Sequence, residues 1–359
     1  MGGIVDLLII ADDFTGAMDT CVQFAKRGIK CLVSSTIDFD MGAVDSSVHV
    51  LAIDANSRHD ESHVAYEKIR EIVRRAKKAG IKQFYKKTDS TLRGNIGAEL
   101  EAVWRETGVG QLPFIPAYPE NNRITVDGVQ YVEGVPLHQS VMGQDRFSPV
   151  CSAVIVEIIH RQSDIAVVQV SPSGKPINKN GICVYNSSTN RDMEVIARRL
   201  YKNGQTAVTA GCAGFAEYLP DMLCLTGSQN TVVEYNAANM LIISGSINDT
   251  TVRQMAYMKK RGIDVITLGD YMDVHGKRLE EHINQITYRV SKSLDRDRIA
   301  VIESVKNEGQ IFDRGQENVR GREAVIECYA SLVKGILERA NVDTMFVIGG
   351  DTLCGIICR

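Results

Sequence analysis

Leu7-Leu8-Ile9-Ile10-Ala11-Asp12-Asp13-Phe14-Thr15-Gly16-Ala17 carries the reading of the fold. Its first five residues are apolar without alternation, the pattern of a strand covered on both faces in a parallel sheet. Two carboxylates follow at once, and Thr15 to Arg27 then reads as a helix, with Thr15 as its cap and Gly28 as its stop. Strand, polar turn and helix make the repeating unit of an α/β protein. Outward from this stretch, strand-length apolar runs recur at Cys31 to Ser34, Val48 to Ile53, Gln83 to Tyr85, Phe114 to Pro116, Ala166 to Val170, Ala207 to Ala210, Leu241 to Ser244, Val265 to Leu268, Ile299 to Ile302 and Thr344 to Ile348. Ser62 to Ala79 reads as an amphipathic helix with Ala65, Ile69, Ile72 and Ala76 on one face. Its basic cluster, Arg70, Arg74, Arg75, Lys77 and Lys78, fits a solvated face better than an anion patch. Asp127-Gly128, between Ile124-Thr125-Val126 and Val129-Gln130-Tyr131-Val132, predicts an antiparallel hairpin.

The chain has 359 residues, enough for two domains at roughly 100 to 200 residues each. Periodicity fades from Leu219 to Asn239, a stretch holding Pro220, Gly227, Ser228 and Asn230, so the boundary is expected there, between residues 1–230 and 231–359. The expected fold is α/β: two domains, each a mostly parallel sheet flanked by helices, with an antiparallel hairpin in the first. At 44% hydrophobic and 24% charged the composition is that of a globular protein, not a disordered or membrane-embedded one. With 41 Lys+Arg against 44 Asp+Glu the net charge is -3, so neither nucleic acid nor a membrane surface is expected as a partner. No apolar run approaches the roughly 20 residues of a membrane helix. The first residues lack a basic secretory n-region, and the nine cysteines are scattered without a CxxC pair, which together point to a reduced, cytoplasmic chain.

In an open parallel sheet ligands bind beyond the carboxyl ends of strands, so the residues just after each apolar run are the candidates. Asp12 and Asp13 can hold a general base, a Mg²⁺ or sugar hydroxyls; one of them can equally be a helix cap. Tyr85-Lys86-Lys87-Thr88-Asp89-Ser90-Thr91-Leu92-Arg93-Gly94-Asn95 crowds cations, a carboxylate and hydroxyls into a loop before the helix Ile96 to Glu106, where Arg93 can clamp a carboxylate and Lys87 adds a point charge. A mixed-charge surface loop is the plainer alternative. Ile53-Asp54-Ala55-Asn56-Ser57-Arg58-His59 supplies Arg58 as a second anion-binding candidate; His59 and His63 lie four apart but lack the third ligand of a zinc site. Pro116-Ala117-Tyr118-Pro119-Glu120-Asn121-Asn122-Arg123 is either a rigid corner or a pocket wall carrying Arg123. In the second half, Ser244-Gly245-Ser246 and Ile348-Gly349-Gly350-Asp351-Thr352 place glycines between a strand and a helix, the local geometry that frees N–H groups for nucleotide phosphates. Neither a Walker A loop nor a dinucleotide fingerprint is present: Ser173-Gly174-Lys175 runs into Pro176, and Gly108-Val109-Gly110 into Pro113.

Taken together, ADDFTGA (11–17), KKTDSTLRGN (86–95), PAYPENNR (116–123) with TVDGVQYVEGVPL (125–137), SGSINDTTVRQ (244–254) and GGDT (349–352) resemble, in order and spacing, the four-carbon acid sugar kinase family. The likeness runs from residue 4 to the last residue, and DSTLRG is its most specific element. It implies an N-terminal substrate domain, a C-terminal nucleotide domain, and ATP-dependent phosphorylation of the terminal hydroxyl of erythronate, threonate or a 3-oxotetronate, with Mg²⁺ accompanying the nucleotide. It places Asp12, Arg58, Lys87, Asp89, Ser90 and Arg93 on the substrate side, and Ser246, Gly349, Gly350, Asp351 and Thr352 on the nucleotide side. Members of the family continue through a glycine-rich KSGGFG-like segment, so the resemblance also implies a nucleotide domain that is incomplete at Arg359.

The expected mechanism has Arg58, Arg93 and Lys87 holding the carboxylate of the sugar acid across an interdomain cleft from ATP, with Asp12 or Asp13, and Asp89 behind them, accepting the hydroxyl proton. Two alternatives stand beside it. One is a kinase of a neutral sugar or polyol, which would leave the cations unpaired; the other is a non-catalytic sugar-acid-binding module or inactive kinase fragment.

Overall fold

The computed structural model describes residues 4–144, 148–174, 179–228, 238–246, 248–268, 277–304 and 317–358. It divides into two units, Met1–Thr231 and Val232–Arg359.

In the first unit the strands are β1 (Leu7–Ala11), β2 (Cys31–Ser34), β3 (Val50–Asp54), β4 (Phe84–Lys87), β5 (Gln111–Ile115), β6 (Arg123–Val126), β7 (Val129–Val132), β8 (Val135–Pro136), β9 (Val167–Val170), β10 (Gly181–Tyr185) and β11 (Val208–Gly211). The main helices are α1 (Phe14–Ala25), α2 (Ser62–Lys78), α3 (Ile96–Thr107), α4 (Ile155–His160), α5 (Asn190–Lys202), α6 (Ala213–Ala216) and α7 (Leu219–Met222). Among the described residues eight strands form one sheet in the order β2-β3-β1-β4-β11-β5-β10-β9, every pairing parallel. Alternation along β1 explains its unbroken hydrophobicity. Leu8 and Ile10 enter one core with Ile69 and Ile72 of α2 and Leu100 of α3, while Leu7, Ile9 and Ala11 enter the other with Ala17 and Phe24 of α1 and Ile196 of α5.

The hairpin forms where Asp127-Gly128 predicts it, as β6 and β7. Both turn residues have positive φ, 48° and 73°, as a type I′ turn demands. Two expectations change. The cap of α1 is Asp13, not Thr15: Asp13 has extended backbone and its Oδ1 accepts from Gly16 N at 2.8 Å, so the helix begins at Phe14. The sheet also contains β10, fully buried between β5 and β9, which the pattern of apolar runs passes over. The basic residues of α2 have local partners: Arg70 pairs with Glu67 at 2.7 Å, and Arg75 donates to the carbonyls of Ile37 and Phe39.

The second unit has β12 (Met240–Ser244), β13 (Val265–Thr267), β14 (Ile299–Glu303) and β15 (Thr344–Ile348), with α8 (Asp249–Lys260), α9 (Lys277–Asp297), α10 (Glu317–Leu337) and α11 (Gly350–Ile357). Its described strands form a parallel sheet in the order β13-β14-β12-β15. Leu241, Ile243, Ala300 and Ile302 pack against Ile286, Val290 and Leu294 of α9 and Tyr329, Leu332 and Val333 of α10. Among the described residues no helix of either unit is long and apolar enough to cross a membrane.

Candidate active site

In the first unit β1 lies between β3 and β4, so the strand order reverses at β1. The loop after β1 leads to α1 on one face while those after β3 and β4 lead to α2 and α3 on the other, the setting in which open parallel sheets bind ligands. These loops carry Asp12 and Asp13, then Asp54, Ser57 and Arg58, then Lys87, Asp89, Ser90 and Arg93, so the six substrate-side residues expected from the sequence come to one rim.

Arg58 is the hub of this rim. Its Nε donates to Asp12 Oδ2 and its Nη1 to Asp13 Oδ2, both at 2.7 Å, and Nη2 stands 3.8 Å from Asp89 Oδ1. Arg93 takes both oxygens of Asp89, Nε to Oδ2 at 2.7 Å and Nη2 to Oδ1 at 3.1 Å. Two guanidinium groups expected to meet a substrate are thus engaged by carboxylates of the chain.

Their charges sort the acids. Burial raises the proton affinity of Asp89, but the hydrogen bond from Arg93 and the charges of Arg58 and Arg93 outweigh it and hold the carboxyl well below the usual carboxylate range. Asp12 is buried too, and Arg58, Lys87 and Lys86 together hold it below its usual value. Asp13 moves the other way, raised by burial and by the neighbouring Asp12 charge. Asp54, at the end of β3, is pushed up to about 7, first by burial and then by Asp13 and Asp12. In the sequence it stands only as part of a strand end; nothing in a single Asp at that position signals such a shift.

The adjacent lysines of the KKTDSTLRGN stretch part company because successive strand residues face opposite sides. Lys86 is fully buried, with Nζ 2.7 Å from Glu99 Oε2 and donating to the carbonyls of Ile10 and Lys87; Glu99 Oε1 in turn accepts from Ser57 Oγ at 2.5 Å. This ion pair ties β1, β4 and α3 to the loop that carries Arg58. Lys87, in register with Ala11 of β1 and Gly211 of β11, lies on the α1 side. It is only 4% exposed, yet among the described residues no hydrogen bond or ion pair within 4 Å reaches its Nζ. Its ammonium crowds the first turn of α1, where a Cβ on Gly16 would lie 2.8 Å from Nζ and 2.5 Å from Asp13 Oδ1.

The hairpin closes on the same rim. Arg123 Nη1 donates to Ser90 Oγ at 2.5 Å, and Gln130 Nε2 donates to the Ser90 carbonyl at 3.2 Å. Asp12 Oδ1, Thr88 Oγ1 and Arg123 Nε are buried without a hydrogen-bond partner. Buried polar atoms are nearly always satisfied, so three around one crevice mark it as a place for a polar ligand. His59 is turned to Ser148 Oγ, 3.1 Å from its Nδ1, and no group of three or more His, Cys, Asp or Glu among the described residues could hold a metal ion.

In the second unit β12 lies between β14 and β15, again a reversal of strand order. The loops after β12 and β15 touch: a Cβ on Gly245 would collide with Thr352 Oγ1, and one on Gly349 would fall 3.2 Å from the same oxygen and 3.5 Å from Ser246 N. Gly349 has φ +121°, a conformation L side chains rarely adopt, and α11 starts at Gly350 with Asp351 in its first turn. Asn248 caps α8, accepting from Thr250 N at 2.9 Å. Ser246, Gly349, Gly350, Asp351 and Thr352 are therefore neighbours at two helix starts that open from adjacent parallel strands.

Residues 7–219 match the family model of a sugar-binding N-terminal domain, and residues 241–356 that of a nucleotide-binding C-terminal domain. The chain belongs to the four-carbon acid sugar kinase family. Among relatives in this family, the D-erythronate kinase of Heliobacterium modesticaldum is 26% identical over 384 residues, spanning 98% of this chain and 84% of that protein. The D-threonate kinase of Salmonella typhimurium is 27% identical over 365 residues, spanning 96% of this chain and 84% of its own. A crystal structure from Salmonella typhimurium LT2, named for a tRNA synthase, superposes with a TM-score of 0.78 over 98% of this chain and 87% of that one; at 18% identity the likeness shows the fold alone.

Proposed function

We propose that this member of the four-carbon acid sugar kinase family is a cytoplasmic, ATP-dependent kinase that phosphorylates the terminal hydroxyl of erythronate, threonate or a 3-oxotetronate. The observation that carries the reading is the cluster at the end of β1, where carboxylates, buried cations and partnerless polar atoms converge. Residues 1–230 take the sugar acid, with Asp12, Arg58, Lys87, Asp89, Ser90 and Arg93 around it, and residues 231–359 take the nucleotide.

Phosphoryl transfer asks little covalent chemistry of the protein and much positioning and charge neutralisation. On the nucleotide side, the touching glycine loops leave room for phosphate oxygens where side chains would intrude. Ser246, Gly349, Gly350 and Thr352 would hold the phosphates, and Asp351, in the first turn of α11, would be the carboxylate nearest for Mg²⁺. Bound with ATP, Mg²⁺ supplies neutralisation of the phosphate charge. On the sugar side the terminal hydroxyl oxygen forms the new bond to phosphorus as its proton passes to a carboxylate and ADP departs. Of the three candidate acceptors Asp13 is the best base, because its proton affinity is raised while Asp12 and Asp89 are held low by cations.

A panel of tetronates and tetritols with ATP, followed by ADP release and by mass spectrometry of the product, tests the reading. A tetronate phosphate is expected. ADP release with a tetritol alone would establish the neutral-polyol alternative, and tetronate binding without any turnover would establish the non-catalytic module.

A further inference from the structure

We infer that Lys87 and Arg123 form the seat for the carboxylate of the sugar acid, with Arg58 and Arg93 serving as internal counter-ions that shape the crevice. The inference rests on the proposed function for the class of substrate; the assignment of the seat rests on charge pairing.

Each of the other cations near the crevice is matched. Arg58 answers Asp12 and Asp13 directly and faces Asp89; Arg93 grips both oxygens of Asp89; Lys86 is sealed against Glu99. A guanidinium already holding carboxylates of the chain can take a substrate carboxylate only by giving one up. Lys87 and Arg123 differ. Lys87 has no ion pair among the described residues, and Arg123 spends Nη1 on a neutral hydroxyl, that of Ser90, while its Nε is buried with no acceptor.

The two charges also converge. Lys87 ends β4 beside β11, and Ser90, on the loop that follows, takes Arg123 Nη1 on its Oγ at 2.5 Å, which brings Arg123 to the same strand end. Lys87 is buried and Arg123 half-buried, neither is held by a carboxylate within 4 Å among the described residues, and an anion between them would supply that direct partner. A carboxylate suits the place, since its two oxygens can accept from an ammonium on one side and a guanidinium edge on the other. The partnerless Thr88 hydroxyl and the Ser90 hydroxyl held by Arg123 stand on the same loop and are placed for the neighbouring sugar hydroxyl. The hairpin therefore belongs to the site: it carries Arg123 on β6, and Gln130 of β7 fixes Ser90 from its backbone side.

Titration calorimetry on the full chain, with D-erythronate, D-threonate, erythritol and threitol, tests this. The wild type is expected to bind a tetronate and to bind the tetritols far more weakly. Arg123→Gln should weaken tetronate binding by about 10- to 100-fold, the loss of one charge-assisted contact, and leave the tetritols unaffected, so that discrimination collapses. Arg123→Lys should restore most of it. Ser90→Ala separates a positioning role, because loss of the serine alone should weaken acid and polyol alike. Tetronate affinity unchanged in Arg123→Gln, or a loss matching Ser90→Ala with discrimination intact, overturns the seat while leaving the kinase reading standing. Tetritols binding as well as tetronates in the wild type instead overturns the sugar-acid reading itself. Should Arg123→Gln fail to melt cooperatively, Lys87→Gln carries the same expectation from the other side of the seat.

Discussion

Replacing Asp54 by asparagine should stabilise the protein, and by an amount that depends on pH. Asp54 ends β3 in register with Ala11 of β1, and its Oδ1 accepts from Asn56 N at 2.7 Å, a bond an asparagine carbonyl can keep. Burial, then Asp13 and Asp12, push its proton affinity from the usual 3.8 up to about 7. Below about pH 4 folded and unfolded chains both hold the proton and the site costs nothing. Between about pH 4 and 7 only the unfolded chain ionises, so stability falls; above 7 the native state carries the buried charge and the loss levels off. A rise of about three units corresponds to about 4 kcal/mol. The asparagine side chain is neutral throughout, so the variant should gain about 1 kcal/mol at pH 4.5 and about 4 kcal/mol at pH 8.5, a rise in Tm of roughly 8–16 °C at the higher pH for a unit of this size. Paired calorimetric melts of wild type and Asp54→Asn at pH 4.5, 6.5 and 8.5 measure it. A Tm difference that does not grow with pH, or a less stable variant at pH 8.5, refutes the placement of a raised carboxyl at the end of β3.

Two further perturbations probe the layers beneath each site. Lys86→Met leaves Glu99 as a buried, unpaired carboxylate and should cost about 3–5 kcal/mol in urea unfolding, with most of the loss recovered by the double change Lys86→Met/Glu99→Leu, because a matched apolar pair removes both desolvation penalties. In the second unit, Gly245→Ala drives a methyl into Thr352 Oγ1 and must force the two glycine loops apart. ADP affinity by calorimetry should fall at least about tenfold, the effect of a misplaced phosphate cradle, while tetronate affinity is retained.

How far the sequence discloses this molecule depends on whether a feature is local. β1, with five apolar residues and no alternation, is legible because both-sided burial is written in consecutive positions. The hairpin is legible because Asp127-Gly128 is a local conformational demand. β10 is not: Gly181–Tyr185 reads as a strand only once β5 and β9 stand on either side of it. The site divides the same way. Strand-end position and residue type bring Asp12, Asp13, Arg58, Lys87 and Arg93 into view, and the family resemblance adds Asp89 and Ser90, but pairing is a tertiary property. That Arg58 faces three carboxylates, that Lys86 turns to Glu99 on the following helix, and that Arg123 reaches Ser90 across the fold follow from no spacing in the chain.

The two units also share a logic that no sequence repeat announces. In each, the first strand runs to an outer position two strands away, the next strand fills the gap, and the following one crosses to the other side, giving β2-β3-β1-β4 and β13-β14-β12-β15. That order puts a reversal at the first strand of each unit, so the loop after it diverges from its neighbour and leaves a crevice where helix starts and strand ends are open to a ligand. The backbone thus offers the same kind of place twice, and side chains decide what enters. After β1 and β4 the loops carry Asp12, Asp13, Lys87 and Asp89, charged groups of the kind that suits hydroxyls and a small anion. After β12 and β15 they carry Gly245, Ser246, Gly349 and Gly350, small residues that leave backbone N–H groups open in the way that suits a phosphate. Exchanging charge for glycine at either crevice should therefore abolish its ligand and leave the sheet intact, since the cores formed by β1 and β12 lie below these loops and none of these eight residues belongs to them.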